Sequence, residues 1–544
     1  MSKKKLFNID KNDLMFNNKV LFALLIPIVI EQLLNSFMGM VDTMMVSNLG
    51  SQAISGVSLV DSVNNLIVQL FSAMATGAAI ICSHYIGMKD KKGANKAARQ
   101  VVLTVAVIAI VITIIGLLFR RPILSFIFGK VEQDVMDNAV TYFLYTALSY
   151  PFLALFSAGS AIFRSCGNSR YPMVVSIISN LINVTGNAIL MFGLNMGVAG
   201  AAISTLVSRI FCMVVIFIAL SKPKLEIVVS QYYTIRPDFK LIASILAIGV
   251  PSGIENSMFQ FGKLAIQSTV STMGTAAIAA QAMTNILENV NGIFGIGVGM
   301  CLMTVVGQCM GAGRKEEAKY YIVKLAGIAE VGIIVSCLLV LALVKPITML
   351  GGMEPESAKM CIEMVGAITI AKPLVWVLSF VPAYGMRAAG DVKFSMITSI
   401  ITMWGCRVAL CIALVRIFNM GPMAVWYGMF ADWTIRGIIF TTRYFSGKWM
   451  KKVLYVVLKA RSRTIFDRCA SPGEIGWLYM LSTVFLDSSM VEHSAVNRRV
   501  VGSSPTGGAT KGEPPSEKVA AHFFYSESQR RLGPLAQLVR ADGS

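Results

Sequence analysis

The sequence predicts an all-α membrane protein with twelve transmembrane helices in two pseudosymmetric six-helix lobes. Three observations predict this fold class: an apolar composition, twelve apolar segments of membrane-spanning length and an internal repeat. Of the 544 residues, 55% are hydrophobic and 14% are charged, whereas soluble domains contain about 45–50% apolar and about 25% charged residues. The composition therefore argues against a soluble globular domain.

Each predicted span contains about 20 predominantly apolar residues, the length that a helix needs to cross a bilayer. In chain order the spans are predicted at residues 20–45, 57–83, 101–119, 137–163, 172–193, 197–220, 241–271, 278–306, 322–347, 360–384, 394–415 and 421–441. The pattern divides residues 1–450 into four segments: a cytoplasmic N-terminus at 1–18, an N-lobe at 19–220, a cytoplasmic linker at 221–240 and a C-lobe at 241–450.

The distribution of Lys and Arg orients the spans. Three connections after odd-numbered spans, at 47–56, 193–197 and 271–277, carry no charge, whereas the connections after even-numbered spans are basic. Cytoplasmic loops are enriched in Lys and Arg, so we expect a multi-pass plasma-membrane protein with both termini in the cytoplasm. This placement accounts for the net charge of +19 without a nucleic-acid partner.

The two halves of the chain resemble each other. When the sequence is aligned with itself so that Pro27 falls on Pro251, the same register matches Glu31 with Glu255, Gly50 with Gly274 and Asn65 with Asn289. Further along, a register that differs by one position matches Arg164 with Arg387 and Gly167 with Gly390. Because each half contains an even number of spans, the halves form parallel repeats about an axis along the membrane normal. Two such lobes favour alternating access, although repeats can also build a channel.

Several motifs resemble the multidrug and toxic compound extrusion (MATE) family of cation-coupled exporters, over about residues 16 to 450. They are the segment from Pro27 to Glu31, Val41-Asp42-Thr43, Leu49-Gly50, the loop from Val306 to Arg314, and the paired turns Arg164–Asn168 and Arg387–Asp391. The resemblance implies two six-helix lobes and the export of mostly cationic, amphipathic compounds in exchange for H⁺ or Na⁺.

An intramembrane carboxylate is a functional candidate by default, since it costs about 2.5–3.5 kcal/mol at the centre of a spanning helix. Asp42 lies late in the first span and matches the acid that the family uses for ion coupling in its N-terminal lobe. In the fifth span Asn183 and Asn187 share one helical face, so we expect them to orient Asp42, although the family often has Asp where Asn187 stands. The alternatives are an Asp42 exposed at the outer interface and asparagines that only join helices.

Four residues are candidate substrate contacts. Glu31 and Glu255 each follow a proline by four residues, where a bent helix can form a polar pocket. Met38 precedes Asp42 by one turn, and methionine suits promiscuous recognition. Glu288 is an acid in the eighth span. The alternatives are a structural role for Glu255, a pair between Lys263 and Glu288, and arginines 164 and 387 that secure cytoplasmic turns.

The predicted function is a monomeric secondary antiporter that exports small organic cations, with H⁺ or Na⁺ as the coupling ion and no cofactor. Only three histidines occur, so we expect no multi-histidine metal site. The only histidine in the spans, His84, lies at a cytoplasmic end without a visible catalytic partner, so we do not expect an enzyme. No acid lies in residues 373–384, which disfavours a sodium site in the C-lobe. The alternative is a lipid-linked oligosaccharide flippase, which would present a cationic central cavity to a pyrophosphate.

Residues 451–544 lack the membrane pattern and the resemblance. Back-translation of Val501–Thr506 and of Leu535–Ala541 permits the T-arm and the D-arm of a transfer RNA gene. We therefore expect this tail to be a disordered, non-native product of translation into tRNA genes. The alternative is a genuine regulatory tail.

Overall fold

The computed structural model describes residues 13–129, 132–223, 226–229 and 236–451, and these ranges are mostly helical, with no strand among them. The predicted tail lies outside the described residues, apart from its first residue. So does most of the predicted N-terminal segment.

The described part of the N-lobe contains eight helices. They are α1 (Asn18–Ser47), α2 (Ser51–Gly87), α3 (Lys91–Leu118), α4 (Arg120–Phe128), α5 (Gln133–Leu148), α6 (Tyr150–Ser165), α7 (Arg170–Asn187) and α8 (Gly197–Leu220). Helices α5 and α6 meet at Ser149 with a bend of 43° and together correspond to the fourth predicted span. A π-helical stretch, Ala188–Gly193, extends α7.

In the C-lobe the described residues form seven helices. They are α9 (Phe239–Val270), α10 (Thr275–Ala312), α11 (Lys315–Leu350), α12 (Pro355–Ala388), α13 (Val392–Ile401), α14 (Ala409–Arg416) and α15 (Met423–Phe445). A second π-helical stretch, Thr402–Val408, joins α13 to α14 and completes one span. Both π-helical stretches therefore lie in the fifth span of a lobe, and such distortions are frequent at functional sites.

Every predicted span coincides with described helix. Ten segments are long and apolar enough to cross a membrane, and the bent pair α5–α6 raises the number to eleven in the described part of the chain. The remaining predicted span is α15, which is less apolar because it carries Asp432 and Arg436. The all-α, two-lobed architecture predicted from the sequence is thus confirmed.

The repeat is visible in backbone conformations that only glycine adopts without strain. Gly50 and Gly274 precede α2 and α10 with φ of 103° and 95°. Gly167 and Gly390 follow α6 and α12 with φ of 80° and 99°. A side chain is strained at φ values this far into the positive range, so glycine is favoured at each of these equivalent turns.

The lobes pack together through α2, which contacts α9 and α10, and through α1, which contacts α10. The hydrogen bonds that join spanning helices of the two lobes include Asn256 Nδ2 to Gln69 O at 3.3 Å, Gln308 Nε2 to Ser165 O at 2.7 Å and Lys324 Nζ to Asn18 Oδ1 at 2.6 Å. In addition, His84 Nε2 lies 2.7 Å from Ala388 O. We call this half of the interface the closed end. Among the described residues, no hydrogen bond joins the C-terminal third of α1 or α9 to the opposite lobe.

Candidate functional site

Asp42 lies in the C-terminal third of α1, half-buried, and faces α7 of its own lobe. Asn187 Nδ2 donates a hydrogen bond to Asp42 Oδ1 at 2.7 Å, and lies 3.5 Å from Asn183 Oδ1. Asn183 Nδ2 in turn donates to Thr205 Oγ1 on α8 at 3.2 Å. The two asparagines face the same way because they stand one helical turn apart. The structure thus places Asp42 against the interior of the N-lobe.

A second acid extends this arrangement. Asp61 on α2 accepts a hydrogen bond from Asn64 Nδ2 at 3.4 Å and another from the Tyr142 hydroxyl. Tyr150 Oη donates to Asn64 Oδ1 at 2.6 Å. The tyrosines come from α5 and α6, on the two sides of the bend, so the bend brings both hydroxyl groups to the same side of α2.

Arg209 on α8 completes the network with a positive charge. Its Nη1 donates to Ser149 Oγ at 2.6 Å, at the junction of α5 and α6. Arg209 also lies within electrostatic range of Asp42 and Asp61. We call Asp42, Asp61, Asn64, Tyr142, Tyr150, Asn183, Asn187 and Arg209 the N-lobe network. With both acids ionised its formal charge is −1.

The sequence interpretation missed Arg209, although a signal was present. Arg209 is the one charged residue in the described helix Gly197–Leu220, and an arginine in the middle of an apolar span normally faces a polar partner. It stands half-way along α8, at the level where that helix passes the bend at Ser149.

Glu31 and Glu255 are both buried at the closed end, each beside an arginine. Glu31 Oε2 lies 3.1 Å from Arg164 Nη1, and Glu255 Oε1 lies 2.6 Å from Arg387 Nη2. The four residues are related by the sequence repeat, so the two ion pairs are equivalent. Each pair joins the first helix of its lobe to the last helical turn of the fourth span. This placement favours a structural role for both acids over the substrate contact expected from the sequence.

Glu288, a candidate substrate contact in the sequence analysis, is also paired with a cation in the structure. Lys372 Nζ donates to Glu288 Oε1 at 2.7 Å and to the Glu288 carbonyl oxygen at 3.0 Å. Lys372 is fully buried on α12. The alternative considered from the sequence, a pair between Lys263 and Glu288, is not a direct contact in the structure, where Lys372 is the cation bonded to this carboxylate. Lys263 acts on Glu288 only as a nearby charge.

A further pair of arginines shares one acid in the C-lobe. Arg407 Nη2 lies 2.9 Å from Asp432 Oδ2, and Arg436 Nη2 lies 2.8 Å from Asp432 Oδ1. Arg407 belongs to the π-helical stretch after α13, and the other two residues belong to α15. Together these residues form the C-lobe cluster, which comprises Lys263, Glu288, Lys372, Arg407, Asp432 and Arg436.

Met38 lies one turn before Asp42 on α1 and is half-buried. It remains a candidate for apolar contact with a compound that reaches Asp42. Among the described residues, no group of three or more His, Cys, Asp or Glu side chains is arranged to hold a metal ion.

Comparison with known proteins identifies relatives that align with most of the membrane region. The MatE family profile matches the chain twice, at residues 27–189 and 251–413, and the two matches begin at the positions of Pro27 and Pro251, in the register of the internal repeat. An uncharacterized transporter of Bacillus subtilis, YisQ, is 26% identical over 437 residues, which cover 79% of this chain and 95% of that protein. A probable multidrug resistance protein of Thermotoga maritima, NorM, is 25% identical over 452 residues, which cover 80% and 94%.

A solved structure has the same fold. It is described as the outward-facing conformation of a multidrug resistance MATE family transporter, and it superimposes with a TM-score of 0.74 at 18% identity, covering 80% of this chain and 97% of that one. Because the family profile matches more than half of the chain, and the relatives align over nearly their full length, this chain belongs to the MatE family of membrane efflux transporters.

Proposed function

We propose that this chain is a secondary antiporter of the cell membrane that exports cationic amphipathic compounds as a monomer in exchange for H⁺ or Na⁺. In this proposal Asp42 is the ion-coupling carboxylate. The observation that carries it is the hydrogen bond from Asn187 to Asp42 inside the N-lobe. It fixes an intramembrane carboxylate toward a polar interior, where binding a proton or a sodium ion changes the local charge.

The atoms around Asp42 suit an incoming cation. Asn187 Oδ1 is buried and accepts no hydrogen bond in the structure. An unused buried acceptor costs free energy, and a proton on Asp42 or a sodium ion beside it would supply the missing partner. Asn183 and Thr205 hold the Asn187 side of the site in place. Asn183 and Asn187 therefore act as positioning residues that cannot themselves titrate.

Competition at Asp42 links the two cations. When Asp42 is ionised, it attracts a cationic substrate into the N-lobe side of the cleft. When the cleft opens to the outside, a coupling ion binds Asp42 and weakens the hold on the substrate. Thermodynamic linkage then requires that the substrate weakens the binding of the coupling ion by the same factor.

The direction of this cycle follows from the closed end, which we propose to be cytoplasmic. Basic side chains flank it directly, with Lys89 and Lys91 after α2 and Arg314 and Lys315 after α10. The positive-inside rule places such connections in the cytoplasm. The hydrogen bonds that join the lobes at this end then support an outward-facing state.

Substitution of Asp42 tests the proposal. Asp42→Asn keeps the shape of the side chain and should insert and fold, but gradient-dependent efflux of ethidium from cells should fall to the background level. Asp137→Asn, at an exposed acid on α5, is the matched control and should leave efflux unchanged. Full efflux by Asp42→Asn at a wild-type expression level would remove Asp42 from the mechanism.

One observation favours the alternative, a lipid-linked oligosaccharide flippase. The C-lobe cluster contains more cations than acids, and a flippase would need cationic groups for a pyrophosphate. Transport assays in proteoliposomes separate the two functions. Ion-driven uptake of a cationic dye with no movement of a short-chain lipid pyrophosphate supports the antiporter, and the reverse result supports the flippase.

A further inference from the structure

Some charged residues of one lobe have no charged counterpart at the equivalent position of the other lobe. The register that matches Pro27 with Pro251 also relates the acids of the two Glu–Arg pairs at the closed end, but it places Asp42 opposite Ile266 and Lys263 opposite Gly39. Hence the acid of the N-lobe has no counterpart in the C-lobe, and the lysine of the C-lobe has none in the N-lobe. The Glu–Arg pairs that both lobes share stabilise the fold, whereas Asp42 and Lys263 give the two lobes different charges.

The C-lobe cluster has an excess of positive charge. It contains four cations and two carboxylates, which leaves a formal charge of +2 when all six groups are ionised. Glu288 is occupied by Lys372, and Asp432 is occupied by Arg407 and Arg436. Lys263 makes no hydrogen bond or ion pair with another described residue, and it interacts with Glu288 and Arg407 only at longer range. The unpaired cation of the cluster is therefore Lys263.

The position of Lys263 on α9 points it toward the interior of the molecule. Asn256, Phe259 and Lys263 are spaced by three and four residues and share one helical face. Asn256 on this face bonds to Gln69 of the N-lobe, and the Phe259 ring lies 4.9 Å from the Arg407 guanidinium carbon. Lys263 thus follows, two turns beyond the closed end, on the face that meets both the N-lobe and the C-lobe cluster. Its side chain is nevertheless accessible.

Unpaired positive charge between apolar helices needs an anionic partner. Aromatic rings beside Arg407, Arg436 and Lys372 compensate these cations only in part. In addition, Arg407 Nε is buried and donates to no acceptor. A low local dielectric makes an anion that enters this region bind more strongly than it would in water.

We propose that Lys263 binds a carboxylate of the transported compound, so that the preferred substrates are zwitterions. Their cationic group faces the N-lobe network and their carboxylate faces the C-lobe cluster. The inference rests on the proposed antiport function and names its substrate class. A carboxylate is the group that fits, because one accessible ammonium group offers a single site of positive charge, with Arg407 behind it as a second cation.

A matched pair of dyes tests the proposal. One dye is a cationic rhodamine methyl ester, and the other is the same rhodamine with a free carboxylate, so that they differ in one ester group. The full chain is reconstituted in nanodiscs for fluorescence binding and in proteoliposomes for ion-driven transport. We expect the free acid to bind about tenfold more tightly than the ester, as a charge-assisted hydrogen bond would give.

Two substitutions of Lys263 complete the test. Lys263→Gln should abolish the preference by weakening the binding of the free acid about tenfold relative to the ester, while Lys263→Arg should retain it. Equal binding of both dyes by the wild-type protein, with ion-driven transport of the ester intact, would overturn the carboxylate site and leave the antiport function standing. If ion gradients drive neither dye, the antiport function and this inference both fail.

Discussion

Gln308 occupies in α10 the position that His84 occupies in α2. Each side chain contacts the C-terminal end of the fourth span of the other lobe. Gln308 Nε2 donates to Ser165 O, and His84 Nε2 lies at the same 2.7 Å from Ala388 O. Since a carbonyl oxygen only accepts, His84 is the donor. Two of the hydrogen bonds that hold the closed end are therefore related by the pseudosymmetry, and both must break when that end opens.

Weakening these two hydrogen bonds should favour opening of the closed end. Each is worth about 1 kcal/mol, so Gln308→Ala should raise the open population about fivefold and His84→Ala should act similarly. Ser83 faces Gly307 across the lobe boundary and is fully buried, so a Ser83→Cys reporter should react faster with a maleimide in either variant. Thr442→Ala, at an exposed site on α15, should leave the labelling rate unchanged. An unchanged rate in both variants would show that these bonds do not control closure.

Loss of either closed-end carboxylate should destabilise the protein. Glu31→Gln leaves Arg164 buried without its ionic partner, which costs about 3–5 kcal/mol, and the equivalent Glu255→Gln should do the same to Arg387. Thermal unfolding in detergent should therefore show a clear loss of stability for both variants. If Glu31 instead served only to bind substrate, the variant would unfold like the wild-type protein and lose efflux alone. The unfolding curve separates these roles.

Asn187 should control the identity and strength of ion coupling. Asn187→Ala removes the hydrogen bond to Asp42, so ion-driven efflux should fall about tenfold. Asn187→Asp instead brings a second carboxylate beside Asp42, and a bound sodium ion would relieve the repulsion between them. Its efflux should therefore become more dependent on sodium. Dye transport in proteoliposomes with separate pH and sodium gradients measures both effects, and sodium-independent transport by Asn187→Asp would contradict this view of the site.

Arg209 should be needed as a positive charge. Arg209→Gln leaves Asp42 and Asp61 without the cation of their network. We therefore expect the free energy of unfolding to fall by about 1–3 kcal/mol and ion-driven transport to be lost. Arg209→Lys keeps the charge and should restore much of both. Thermal unfolding and transport measured on the same preparations check the prediction. Equal activity of the glutamine and lysine variants would contradict a role for the charge.

The sequence predicted those features that depend on one helix or on the repeat. Apolar length predicted the spans, and the internal repeat predicted equivalent turns such as those at Gly50 and Gly274. The spacing of Asn183 and Asn187 indicated their common face, and the structure places Asn187 against Asp42. Periodicity is sufficient in these cases, because it fixes both the depth and the face of a side chain within its own helix.

Ion pairs between helices that are distant in the sequence could not be predicted from periodicity. Glu31 and Arg164 are 133 residues apart, and Glu288 is closer in sequence to Lys263 than to its actual partner Lys372. The choice between partners depends on the rotation and separation of packed helices, which composition and spacing do not contain. Arg209 illustrates the same limit, since its partner Ser149 lies at a bend that apolar length alone treats as continuous helix.

The most direct measurement of the central claim is uphill dye transport by purified protein in proteoliposomes, driven by an imposed pH or sodium gradient. The account predicts that wild-type protein concentrates the dye under at least one gradient, and that Asp42→Asn, which lacks the carboxylate for which the two cations compete, never concentrates it. Uphill transport by Asp42→Asn at the wild-type rate would contradict the account, because the coupling ion would then act elsewhere.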